Sequence, residues 1–357
     1  MESVPHMKNL TGTVIHRWLV LAIAILPLSC IPGEGPGGPG SGQSSQDGFP
    51  ILKGPYLGQK WAGPGSELFA PQVVSTGLFE SDIAFAPDGR ACYFTVTLPP
   101  ALSVIVEMKQ EKGIWTAPEV APFSQGRGDG NPAIAPDGNR FYFTSMRALD
   151  GGTQPAPRPN PWVMERAGDG WRPPRPLNIP IGEKQYIMNV LPVQGSSLYL
   201  TLREGQRETI CLSRFQDGEH LAPEPLAKDI NGGKLQMAGF VAPDESYLLL
   251  SAFDAHGSLG GSDLYVSFRR PDGAWGTLLN LGPTVNSPDN EFLPHVSPDG
   301  RYLFFSRFSQ RPMPGESDGP PLTYREIKSY FAGPQNGLRD IFWIETGAFQ
   351  RLRAESQ

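Results

Sequence analysis

The sequence predicts an all-β protein: a β-propeller of five four-stranded blades, with an N-terminal strand closing the last blade. Three observations carry the prediction: a recurring Pro-Asp-Gly hairpin, the spacing of its copies, and a composition rich in turn formers. Gly (42) and Pro (38) are abundant among 357 residues and only 18% are charged. That balance fits many short strands and argues against a helical bundle. Five copies align on the turn: Pro87-Asp88-Gly89, Pro136-Asp137-Gly138, a degenerate Val193-Gln194-Gly195, Pro243-Asp244-Glu245 and Pro298-Asp299-Gly300. Pro presets φ at the first corner, Asp bonds its own backbone and Gly accepts positive φ. An apolar run entering such a turn and another leaving it read as a hairpin. Successive turns lie 49, 57, 50 and 55 residues apart, a blade-sized period.

From the N-terminus, Lys8, His16 and Arg17 precede an apolar run from Trp18 to Leu28. The run is too short to span a bilayer comfortably and has the length of a signal-peptide core. Residues 1–29 therefore read as a signal peptide. Ser29-Cys30 after the run resembles the lipobox of bacterial lipoproteins, which makes Cys30 the expected site of lipidation. Residues 30–53 form a Gly/Pro/Ser-rich segment that cannot bury a core and reads as a tether. Residues 54–353 are expected to be one propeller domain. The chain is exported on this reading, with the anchored body facing the periplasm or the cell surface.

Each unit carries more than its hairpin. A third strand follows, as in Leu102–Val106, Pro161–Met164, Thr209–Leu212, Asp263–Ser267 and Asp340–Ile344. Then comes a polar turn with a short aromatic or Pro-marked strand: Gly113 to Trp115, Gly170-Trp171, Gly218 with Pro223, and Gly273 to Trp275. Four strands in that order make a blade. The fifth unit lacks its own fourth strand, and an open edge invites aggregation. The segment near Phe69–Val74 is expected to fill the gap by pairing with Asp340–Ile344. Cys92 and Cys211 fall in strands of non-neighbouring units and read as buried free thiols; without Cys-x-x-Cys, no metal site is expected.

The Pro-Asp-Gly hairpin followed by an Asp-Leu-Tyr strand, as at Gly260–Tyr265, resembles the WD40-like repeats of bacterial envelope propellers, the TolB-like family. Trp275 to Pro283, the opening Gly54–Lys60 and the closing Asp340–Ile344 are similar to that family as well. The resemblance covers about Gly54–Arg353 and implies a propeller, with six blades in the best known relative against the five units counted here. It implies no particular ligand, because members bind very different things.

Propellers present ligands where innermost strands begin. Seven residues before each turn stand Glu80, Asp129, Tyr186, Gln236 and Glu291. A ring with three carboxylates would hold a cation or a polyhydroxylated ligand; the alternative is that these side chains cap loops. Arg147, Arg203 and Arg307, each after a second strand, would bind an anion or pair with an Asp of the neighbouring blade at the surface. His220, His256 and His295 are too scattered for a triad or ligand set. No catalytic residue, cofactor or metal is assigned. The formal charge of −6 with no basic block argues against nucleic acid. Two insertions, Arg147–Asn160 and Arg311–Gly337, are where recognition would sit; the second holds a short helical pattern over Leu322–Phe331. The reading favours a binding module for an envelope protein or glycan over catalysis. The alternatives are a glycan hydrolase using Glu80, Asp129 and Glu291, and a structural assembly module.

Overall fold

The structure, a computed structural model, describes residues 48–61, 63–99, 102–126, 128–233, 235–310 and 323–355. The expected signal peptide, Cys30, most of the tether and residues 311–322 lie outside them. Within them the chain is all-β. The first unit comprises β2 (Phe79–Phe85), β3 (Ala91–Leu98), β4 (Leu102–Glu111), β5 (Ile114–Trp115) and β6 (Glu119–Val120). The second comprises β7 (Gly130–Ile134), β8 (Arg140–Ser145), β9 (Asn160–Ala167), β10 (Gly170–Trp171) and β11 (Arg175–Pro176). The third comprises β12 (Gln185–Pro192), β13 (Leu198–Glu204), β14 (Arg207–Ser213), β15 (Phe215–Gln216), β16 (Glu219–His220) and β17 (Glu224–Pro225). β18 (Gln236–Val241), β19 (Tyr247–Phe253), β20 (Ser262–Phe268) and β21 (Leu279–Asn280) make the fourth. The fifth has β22 (Asn290–Val296), β23 (Tyr302–Gln310) and β24 (Asn336–Glu345), and is completed by β1 (Glu67–Leu68) from the other end of the chain.

Each unit is an antiparallel meander, and its first hairpin is built as the turn chemistry dictates. Asp88, Asp137, Asp244 and Asp299 accept the amide two residues on, at 2.9–3.1 Å. Gly89, Gly138 and Gly300 sit at φ of 69–72°; in the fourth unit Glu245 takes the same left-handed place at 56°. The first strands touch in a closed circuit: β2 with β7, β7 with β12, β12 with β18, β18 with β22, and β22 with β2. Each of the five has a register shift midway, between Ser81 and Ala84, Gly130 and Ala133, Ile187 and Asn189, Ala238 and Phe240, and Phe292 and His295. Bulges bend strands and re-aim side chains; Asp82, Asn131 and Leu293 adopt left-handed φ there.

The core lies between units, as five apolar clusters. The cluster joining the fifth unit to the first packs Phe69 against Phe304 at 5.0 Å and Trp343 at 5.3 Å. Here β1 meets β24. Glu67 opposes Trp343 and Leu68 opposes Phe342, and the Phe69 amide donates to the Ile341 carbonyl at 2.8 Å. Ser75 Oγ donates to the same carbonyl at 2.9 Å and accepts from the Ile341 amide at 3.2 Å. The pairing thus runs through Glu67–Phe69, slightly upstream of Phe69–Val74, because Ala70–Val74 turns under the sheet, with the Val73 and Val74 amides donating to the Ala70 carbonyl. Upstream, the Trp115 amide donates to Leu52 and Trp115 Nε1 to Gly54, at 2.9 and 2.8 Å. Cys92 and Cys211 are buried free thiols, pushed up to about 12 and about 11 by burial. The described part of the second insertion contains α1 (Tyr324–Phe331), capped by a reciprocal Thr323–Glu326 box.

Candidate functional site

The antiparallel meander puts the beginnings of all first strands, the second-to-third-strand loops and the crossovers between units on one face. The five expected ring positions stand there, and four of them fasten the crossover leading into their own strand. Glu80 accepts from the Thr76 hydroxyl. Asp129 accepts from Ser124 Oγ at 2.9 Å and the Gln125 amide at 2.8 Å. Gln236 accepts from the Gly233 amide at 3.0 Å and donates to Asn231 at 2.8 Å. Glu291 accepts from Ser287 Oγ at 2.6 Å. A crossover cannot pair its polar groups in a sheet, so a buried acceptor at the strand start takes them. Tyr186 is half-buried, with the Arg158 guanidinium 5.4 Å from its ring centre.

The arginines complete these locks. Arg147 Nη2 lies 3.0 Å from both Asp129 oxygens, in a pair 8% and 0% exposed. Arg307 Nε donates to Glu291 at 2.7 Å, and its Nη2 reaches Ser66 and the Val285 carbonyl. Arg203 pairs with Glu208 at 3.5 Å. In the first unit the cross-strand partner of Glu80 is Val96, where Glu291 has Arg307. Without a facing cation, burial lifts the Glu80 carboxyl to about 7, and the Asp340 charge adds to the rise. Burial raises Glu291 too, against the pull of Arg307.

None of the five lines the cavity on the axis. That cavity, about 30 Å³, is lined two or more residues deeper by the bulges, including Asp82, Asn131, Asn189, Gly239, Leu293 and His295. It has room for a water or two and not for a sugar. A Cβ on Gly239 would come 2.2 Å from Pro294 Cδ, so the interior is close-packed. Burial lowers His295 to about 4, leaving it neutral against Phe240 at 5.3 Å. Asp82 is pushed up by burial, with the Arg339 cation opposing. The Arg339 guanidinium stands 4.4, 4.7 and 5.3 Å from the Phe292, Phe308 and Phe79 rings, a plug of cation–π contacts. Among the described residues, no three His, Cys, Asp or Glu side chains are grouped to hold a metal ion.

The same face carries most of the exposed large apolar side chains. Of the thirteen large apolar side chains exposed among the described residues, ten belong to its loops, crossovers and adjoining strand ends: Leu78, Leu98, Leu102, Leu149, Phe253, Leu259, Tyr324, Ile327, Phe331 and Leu338. Helix α1 contributes three, at i, i+3 and i+7, with Tyr324 73% and Phe331 54% exposed. Sequence reasoning singled out the loop that carries this helix; it missed the Leu259 and Leu98–Leu102 loops, whose apolar tips were its available signal. No described helix is long and apolar enough to cross a membrane.

No family model and no curated protein matches this chain. Among solved structures it is similar to TolB from Acinetobacter baumannii, at 14% identity and TM-score 0.43, over 74% of this chain and 54% of that one. It is similar to a putative TolB from Agrobacterium tumefaciens, at 13% identity and TM-score 0.44, over 75% and 90% of the two chains. A puromycin hydrolase, 12% identical, matches with TM-score 0.37 over 74% of this chain and 41% of its own. The chain thus spans about half the length of the first and less of the hydrolase. No residue role passes from any of them.

Proposed function

We propose that this chain is a five-bladed β-propeller that binds a partner protein through the apolar face and performs no chemistry. One observation carries the reading: exposed large apolar side chains gather on the face where the first strands begin. Exposed apolar side chains concentrated on one face suit an interaction site, and their aliphatic members suit a protein better than a glycan. The closed circuit of first strands and the four-stranded units support the propeller and its count. The carboxylates that hydrolysis would need are held: Asp129 and Glu291 in buried ion pairs, Glu80 at 1% exposure. With residues 1–29 as signal peptide, Cys30 lipidated and residues 30–53 as tether, the module is attached to a bacterial envelope membrane.

The test is photo-crosslinking in cells, with a benzophenone residue placed at Leu259 or Tyr324 on the face, or at Ile114 or Leu221 away from it. A common adduct from the first two, absent from the second two and lost when Phe331→Asp is added, supports the reading. Adducts from all four, or from none, reject it. Cys30→Ser is expected to release the protein from membranes; retention would sink the anchor.

A further inference from the structure

Each fourth-strand turn delivers an aromatic residue into the junction with the preceding unit. Trp171 meets Tyr93 there, its Nε1 3.5 Å from the Tyr93 hydroxyl, and packs on Phe141 at 5.5 Å. Trp275 meets Tyr199 at 6.0 Å. Trp115 is buried in the cluster between the fifth and first units. The equivalent residue of the third unit, opposite Phe215 in the β15–β16 turn, is His220. Its expected partner, at the register of Tyr93 and Tyr199, is Tyr142. The smaller ring leaves the junction open. His220 and Tyr142 line opposite sides of a cleft of about 830 Å³ between the second and third units. The apolar cluster at this junction contains no Trp or Phe; Tyr142 is its one aromatic among Ala, Val, Ile, Leu and Cys.

The cleft has the size of a small-molecule site, apolar walls such as Ile179 and Ile187, and a cationic end. Arg140 Nη1 donates to Ser196 Oγ at 3.0 Å across the junction, and its guanidinium lies 5.7 Å from the Phe215 ring. Arg175 stands at the rim, paired with exposed Glu165 at 3.1 Å, and exposed Glu219 is there too. His220 Nδ1 is buried and makes no hydrogen bond among the described residues. Burial, and then the Arg140 charge, hold the ring below its ordinary pKa, so it is neutral.

We propose that this cleft binds a small organic anion with an aliphatic or aromatic body, its charged group held by Arg140 and His220. The cleft shares Leu149 with the apolar face, but its ligand is a small anion and its test is read without the protein partner. The probes are 8-anilinonaphthalene-1-sulfonate, followed by fluorescence on the full chain, and decanoate or decan-1-ol as competitors. One saturable class of sulfonate site is expected, displaced by decanoate and about tenfold less well by the uncharged alcohol. His220→Trp, which restores the residue of the sister units, is expected to abolish binding with an unchanged or higher Tm. Arg140→Gln is expected to weaken decanoate about tenfold. Ile179→Trp fills the cleft from another wall and decides the matter if His220→Trp fails to fold. Unchanged probe binding in a folded filled variant, equal competition by the alcohol, or no saturable site in the native chain overturns the proposal.

Discussion

Replacing Glu80 by Gln should make the protein's stability less sensitive to pH, in a direction set by the missing cation opposite it. The Glu80 carboxyl rises from an ordinary 4.5 to about 7 on folding, burial being the main cause. A group whose folded pKa is raised holds its proton more tightly in the folded state. As an acid, it contributes fully below the unfolded pKa, and that contribution is lost as pH climbs from about 4.5 to about 7. At about 1.4 kcal/mol per pKa unit, the full span is roughly 3 kcal/mol, of which about 2 falls between pH 5 and 7.5. Glu80→Gln carries no charge at either pH and escapes this loss. Urea denaturation of both proteins at pH 5 and 7.5 reads the difference, because titrations elsewhere cancel. With a slope of about 3 kcal/mol per M for a domain of this size, the variant should gain on the wild type by roughly 0.7 M in midpoint at the higher pH. Midpoint differences equal at the two pH values would refute the account of Glu80 as a buried acid without a facing cation. A gain at the lower pH would refute its sign.

Arg307→Met leaves the Glu291 carboxylate buried without its cation, which costs about 3–5 kcal/mol; calorimetry would show it, and a loss below about 1 kcal/mol would mean that Ser287 alone suffices. Gly239→Ala drives a Cβ to within 2.2 Å of Pro294; overpacking of this kind costs about 1–3 kcal/mol, and an unchanged Tm would show that the axis is looser than described. Glu245 holds a left-handed corner that Gly occupies in sister turns, and its side chain accepts from Tyr199 and pairs with Arg269 at 3.7 Å. Glu245→Gly relieves about 1 kcal/mol of backbone strain while losing those contacts, so it should stay within about 1 kcal/mol of wild type. Glu245→Ala loses both and should fall about 1–2 kcal/mol below it.

The repeat was legible because its turn is local chemistry. The Pro, Asp and Gly of each hairpin act on neighbouring backbone, and their spacing reports the unit whatever it packs against. The capped helix after Thr323 was visible for the same reason. The bulges were not, since a register shift is decided by the opposing strand; only Asn131-Pro132 and Leu293-Pro294 mark two of them in sequence. Four of the five positions seven residues before the turns hold crossovers, and the cavity on the axis is lined by Asp82, Asn189 and His295 further along. Arg307 with Glu291 could be found only once register was known, because Glu80, at the same register, faces Val96 instead. The cleft left a trace, Gly218-Glu219-His220 where sister units end in Trp, but one substitution predicts a cavity only after the Tyr across the junction is identified.

The way the chain begins has a mechanical consequence. A pull applied at the N-terminal end does not reach the two-residue strand β1 first. It meets Leu52 and Gly54, fastened to Trp115 by its amide and its indole, and must also drag the buried Tyr56 and Leu57 from their seat. Tension entering at Phe49 is therefore taken by the first unit, and the short seam between β1 and β24 is loaded only after that outer stitch has torn.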